Sequence, residues 1–159
     1  MFFYLAEMEK DISKADFLDA IHKRVRNGIS KASIILEGIQ ESIDSETQST
    51  AGDKHDTSRE LMQQERNKAA QNLQNQISLD RLIHKLKTIS TSDEVGFGSL
   101  VLTNFGWFFI GLPLGKINFE DQEILCISGN APVAKKLERK RVGASISVNG
   151  KNTQILSIK

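Results

Sequence analysis

Between residues 17 and 43 the chain has no proline and only two glycines, and its apolar or small residues recur at Leu18, Ile21, Val25, Gly28, Ala32, Ile35 and Ile39. Steps of three and four residues keep one stripe of a helix turned towards a partner helix, which is a heptad seam. Phe17, Ile29, Leu36 and Ile43 widen the stripe, and Ser13 or Asp16 can cap its start. Gly28 costs about 1 kcal/mol relative to Ala inside a helix, so it marks either close approach to the partner or a soft point.

Residues 57–88 repeat the helical period. Thr57-Ser58-Arg59-Glu60 fits a capping box, with Thr57 accepting a free N–H and Glu60 reaching back. The apolar set Met62, Ala69, Leu73, Ile77, Leu79, Leu82, Ile83, Leu86 and Ile89 is dense at the C-terminal end. It thins towards the start, where Gln63, Gln64, Asn67, Gln71, Asn72 and Gln74 dominate. A helix that grows polar away from its base projects into solvent, and roughly 28 helical residues extend ~42 Å at 1.5 Å per residue. Joined through residues 44–56, the two segments make an antiparallel coiled-coil hairpin. The polar stretch at residues 49–60 is its apex.

After the polar junction Ser90-Thr91-Ser92-Asp93-Glu94 the period changes from helix to strand. Residues 99–103 and 107–112 are β-rich runs separated by Asn104-Phe105-Gly106, and residues 123–128, 144–148 and 153–158 are three more. Asn149-Gly150 marks a tight turn between the last two. Residues 132–140 read as one short helix with Pro132 in its first turn. The fold class is therefore α+β: a coiled-coil hairpin over residues 1–90, then a small antiparallel sheet with one helix over residues 91–159.

Composition narrows the function classes. Charged residues at 26% and hydrophobic residues at 39% fit a soluble protein with a modest core. A net charge of +1 argues against a nucleic-acid coat, which needs a clear basic excess. Charge is unevenly placed: residues 41–60 hold six acids against two bases, whereas residues 91–159 hold eight bases against six acids. The single cysteine, Cys126, excludes an intramolecular disulfide and lies in an apolar run that suits a buried, inert thiol. No run approaches the ~18 apolar residues of a membrane span, and Met1-Phe2-Phe3-Tyr4-Leu5 is short and lacks the basic lead of a signal peptide. A cytoplasmic monomer without membrane contact is expected.

Three stretches carry a family pattern: Gly52-Asp53 followed by Asp56, the run Val95-Gly96-Phe97-Gly98-Ser99, and the set Ile127-Ser128, Pro132, Ala134, Leu137, Lys140 and Val142-Gly143. In order and spacing the chain resembles the Gre family of bacterial transcript cleavage factors. The matching family motifs are Gly-Asp-Leu-x-Glu-Asn-Ala-Glu-Tyr at the coiled-coil tip, Val-x-Phe-Gly-Ser at the entry to the C-terminal domain, and Ile-Ser-x-x-Ser-Pro-Leu-Ala-x-x-Leu-x-Gly-Lys-x-Val-Gly. The chain departs from them at several places. Asp56 stands for the longer Glu, and Lys54, Thr57, Arg59 and Glu60 stand for Leu, Asn, Glu and Tyr. Ala131 replaces a serine, and Arg139 a glycine.

The resemblance implies an FKBP-like C-terminal domain and a hairpin that enters the secondary channel of bacterial RNA polymerase. Such a factor is not itself an enzyme; it stimulates the polymerase's own cleavage of backtracked RNA at the nascent 3′ end. Asp53 and Asp56 would be the catalytic acids and would help hold a Mg²⁺ shared with the polymerase, no cofactor being bound by the chain alone. Two carboxylates three residues apart share a helical face but cannot close a Mg²⁺ site, so the partner must complete it. The ordinary role of acids there is to cap a helix and complement its dipole, and one acid can cap while the other binds metal. Arg59, Arg66 and Lys68 either meet RNA phosphates or form a solvated face. The family places polymerase contacts at the loop Ser128, Gly129, Asn130, Ala131 and Pro132, and the basic run at residues 135–141 either solubilises the domain or docks on an acidic surface. The altered tip also admits a non-catalytic regulator that occupies the same channel.

Overall fold

The computed structural model describes residues 11–47 and 54–159. The N-terminal pentapeptide and the apex through Asp53 lie outside the described residues. Helix α1 spans Lys14–Thr47 and α2 spans Lys54–Lys87. Ser13 caps α1, its hydroxyl accepting the Asp16 backbone N–H at 3.2 Å. Packing divides the chain into two compact units, Ile21–Arg81 and Met1–Ala20 with Leu82–Lys159. The division cuts both helices rather than falling at the polar junction near residue 90.

Within Ile21–Arg81 the helices run antiparallel, as the pairs His22 with Asp80, Gly28 with Gln76 and Gln40 with Arg66 establish. Ile21, Val25 and Ala32 are buried as the seam requires. Beyond Ala32 one seam position departs from its sequence reading: Ile35 is 56% exposed, whereas Ile39 and the flanking Leu36 and Ile43 are half-buried as expected. Two consecutive four-residue steps, Gly28 to Ala32 to Leu36, let the stripe follow the natural 3.6-residue turn, of which a strict heptad falls about 20° short in every seven residues. Gly28 marks close approach, since a Cβ there would lie 2.8 Å from the Gln76 side-chain oxygen. Helix α2 begins at Lys54, so Thr57 is helical rather than the cap expected of it.

The other unit is built on a six-stranded sheet: β1 (Leu100–Thr103), β2 (Gly106–Ile110), β3 (Gly115–Phe119), β4 (Gln122–Ile127), β5 (Ser145–Val148) and β6 (Lys151–Ile158). The order across the sheet is β3-β4-β2-β1-β6-β5. All neighbours are antiparallel except β2 and β4, which pair in parallel with Phe108 opposite Leu125. The expected wholly antiparallel sheet is thus corrected in one pairing and gains a strand, β3. The short helix α3 spans Pro132–Leu137. One sheet face buries Val101, Phe108, Ile110 and Ile155 together with Ala134 and Leu137 of α3. On the other face the Phe17 ring meets Phe109 at 5.4 Å and Phe119 at 5.6 Å between centroids. Cover on both sides explains why β1 and β2 are near-continuous apolar runs.

The turns differ in how openly the sequence declares them. Asn149 and Gly150, at φ 50° and 77°, form the two-residue turn of the β5–β6 hairpin. Glu120 and Asp121, at φ 48° and 65°, do the same between β3 and β4. Left-handed backbone costs roughly 1–2 kcal/mol at an ordinary L-residue and much less at Gly or Asn. Replacing Glu120-Asp121 by Asn-Gly is therefore expected to stabilise the chain by about 1–2 kcal/mol, read as a higher urea midpoint with an unchanged slope.

Cys126 is buried on β4, and burial pushes its thiol up to about 12. The unfolded thiol ionises near pH 8.5. Below that pH both states hold the proton and stability is unaffected; between about 8.5 and 12 the unfolded state alone loses it. Stability is then expected to fall by about 1.4 kcal/mol per pH unit from this group. Urea titrations of wild type and Cys126→Ala at rising alkaline pH isolate it, because the variant should lack that part of the slope.

Candidate functional site

Two regions hold the candidate residues, one in each unit. On the hairpin, Asp53 lies outside the described residues. Asp56 lies in the first turn of α2 and is exposed. A carboxylate there complements the positive helix end and is open to a partner's ion. Arg59 and Lys68 are also exposed. At 3.6 residues per turn Lys68 points about 180° away from Arg59, so the two cannot form one patch. Arg66 is half-buried, and its Nε donates to the Gln40 side-chain oxygen at 2.6 Å. The group expected to meet phosphates is thus dispersed, and Arg66 clips the hairpin together.

Sequence reasoning missed the polar seam. His22 is buried with its Nε2 2.9 Å from an Asp80 carboxylate oxygen, although 58 positions separate them. Arg66, Gln76 and Asp80 occupy inward positions on α2 where a coiled coil usually holds apolar residues. That content explains how α2 stays paired while reading as so polar a helix. The only signal was a low density of apolar residues in the segment.

In the sheet unit the two other family-like stretches meet at one cavity. Gly96-Phe97-Gly98-Ser99 is a tight turn: the Ser99 N–H donates to the Gly96 carbonyl at 3.1 Å, and Gly98 takes φ 87°. The Ser99 hydroxyl accepts the Gly96 N–H at 2.9 Å and locks the turn. Phe97 is thereby presented at 42% exposure, with Lys85 Nζ 5.6 Å from its ring centroid. Gly111 makes room for that ring, because a Cβ there would come within 2.9 Å of it.

The cavity, of about 190 Å³, is lined by Val95, Phe97, Ile110 and Ala134 among apolar residues and by Gly129 and Asn130 of the 128–132 loop. Lys135 and Glu138, 3.7 Å apart, complete its wall. The loop is preformed: the Asn130 N–H donates to the Ser128 hydroxyl at 3.2 Å, and the Ala131 N–H to the Ser128 carbonyl at 3.0 Å. The cavity wall therefore joins apolar side chains to one cation and one carboxylate, a lining that can receive an apolar group with a polar end. Cys126 is buried outside it.

The departures from the family pattern have local consequences. Ala131 is the N-cap of α3 and makes no side-chain cap bond, whereas the family's serine can. Ala131→Ser is expected to add about 1 kcal/mol of stability, checked by its urea midpoint. Arg139 holds φ 60°, left-handed backbone that a glycine would adopt without strain. The backbone path survives the substitution at some energetic cost.

No family model matches the chain, and no curated protein matches it. Among the described residues, no helix is long and apolar enough to cross a membrane.

Proposed function

We propose that the chain is a Gre-like, RNA polymerase-binding elongation factor whose hairpin enters the secondary channel and whose tip acids promote cleavage of backtracked RNA. The observation that carries this reading is Asp56, exposed in the first turn of a 34-residue helix that spans about 51 Å. An exposed acid at the end of a long paired arm can reach a buried reaction centre in another molecule. There Asp53 and Asp56 would share Mg²⁺ with the polymerase, a two-metal arrangement that stabilises both attacking and leaving oxygens. The sheet unit, proposed to be FKBP-like, would dock through residues 128–132 and the adjoining cavity. The factor would act as a cytoplasmic monomer, with catalysis belonging to the polymerase.

The shorter acid at position 56 favours a second reading, a regulator that fills the channel without promoting cleavage. Two measurements separate the possibilities. Retention of core polymerase on the immobilised chain tests partnership, and its absence would remove both readings. Shortening of 3′-labelled RNA in stalled elongation complexes tests cleavage; binding without shortening would leave the regulator alone.

A further inference from the structure

One stretch of the sheet unit carries cations without acids. Residues 139–159 contain five Lys or Arg residues and no Asp or Glu. The neighbouring acids are engaged: Glu94 lies 2.8 Å from the Arg141 guanidinium, and Glu138 lies 3.7 Å from Lys135. What the sequence scatters, the sheet gathers into a strip. Lys136 Nζ donates to the Ser147 carbonyl at 2.8 Å, and Ser147 pairs with Asn152 across the β5–β6 hairpin. The Asn104 amide donates to the Asn152 carbonyl at 3.5 Å, and Lys151 Nζ stands 5.8 Å from the Phe105 ring centroid.

Phe105 is the distinctive member. It is 55% exposed at the tip of the β1–β2 turn, where a polar residue would serve the turn as well. Its backbone is held firmly. The Phe105 N–H donates to the Thr103 hydroxyl at 3.2 Å, and Asn104 Oδ1 accepts the Gln154 N–H at 2.7 Å. A fixed, exposed ring beside cations and amides, with no carboxylate on its own strands, combines the components of a single-strand nucleic-acid platform: a face for base stacking and charge for phosphates.

We infer that this strip binds single-stranded nucleic acid, with a base stacked on Phe105 and the flanking phosphates on Lys151 and Lys136. Lys136 spends one of three ammonium donors on Ser147 and keeps two for phosphate. A duplex hides its base faces, so an exposed ring favours unpaired strands. An acidic protein would use the cations but would have no special need of one aromatic face. The inference stands independently of the polymerase reading, which places RNA at the hairpin instead.

The test is fluorescence anisotropy of the full-length chain with a labelled oligouridylate of about 12 nucleotides. Binding should weaken with salt, and Phe105→Ala should reduce affinity at least about fivefold, while Phe105→Trp retains it. Lys151→Gln should lower the slope of log affinity against log salt by about 0.7. A matched RNA duplex should bind less tightly and ignore Phe105→Ala. The double variant Arg59→Gln with Lys68→Gln should leave the Phe105 effect intact, which locates the site on the sheet unit. Absence of binding at 50 mM salt (about the low end of such assays) would overturn the inference. So would equal affinity of Phe105→Ala with an unchanged circular dichroism spectrum, which would mark a face that uses its cations alone, as an acidic protein would.

Discussion

Phe17→Ala is expected to destabilise the protein by about 3–5 kcal/mol, the range for truncating a buried aromatic residue. Phe17 is fully buried, and its ring packs on Phe109 of the central strand β2 and Phe119 of the edge strand β3. Alanine would leave a cavity between three elements and remove two tilted aromatic contacts, each worth about 0.5–1.5 kcal/mol beyond burial. Domains of this size have only about 5–15 kcal/mol in hand, so the loss approaches the total. Trp107, the only tryptophan and buried on β2, reports unfolding by its fluorescence. The urea midpoint should fall sharply with little change in slope. Phe105→Ala is the control, because that ring is exposed and should cost no more than about 0.5 kcal/mol. A loss below about 1 kcal/mol at Phe17 would contradict the packing described for it.

The elements legible in the sequence are those whose instructions are local. Ser13 caps α1 because a short hydroxyl three residues before Asp16 can do little else there. Asn149-Gly150 declared its turn because both residues tolerate positive φ. Strand β3 had no such marker. Its turn is built from Glu120 and Asp121, ordinary charged residues, and its half-exposed pattern gives no apolar run. The parallel partnership of β2 with β4 was illegible for another reason. Each strand looks alike whichever neighbour it takes, and pairing is settled by how both faces are covered. Helix α2 shows the reverse failure, since the box at Thr57 and Glu60 is a valid start signal that the chain passes over by beginning at Lys54.

The candidate sites divide in the same way. Asp56 could be placed on a helix end from spacing alone, and the loop at residues 128–132 from Pro132. The cavity could not, because Val95, Phe97, Ile110, Asn130 and Ala134 share no period and meet only when the sheet closes. Arg66 shows that a basic residue on a polar helix can also hold the hairpin together. Its Nε–H donates to Gln40 across the hairpin, a structural role that only the register of the two helices reveals.

Asp56→Asn and Asp53→Asn are expected to slow RNA shortening in stalled polymerase complexes by about one to two orders of magnitude each while leaving polymerase binding unchanged. Asparagine is chosen because it separates the two roles an acid can have at this helix end. It keeps nearly the same shape, and losing the charge costs the helix only about 0.3–1 kcal/mol, so folding should be preserved. A neutral amide is a far poorer Mg²⁺ ligand than a carboxylate, so a shared metal would be lost. The reach of the side chain gives an independent handle. Position 56 is one methylene short of the glutamate in the family pattern, and its carboxylate is exposed rather than tied into the hairpin. If cleavage is limited by that reach, Asp56→Glu should shorten RNA faster than the wild type, whereas a role confined to the helix dipole predicts no gain because both acids carry the same charge. Asp56→Asn and Asp56→Glu measured against the same stalled complex therefore move in opposite directions for a metal-binding acid. Equal rates for all three chains would assign Asp56 to the helix end and leave the regulator reading in place.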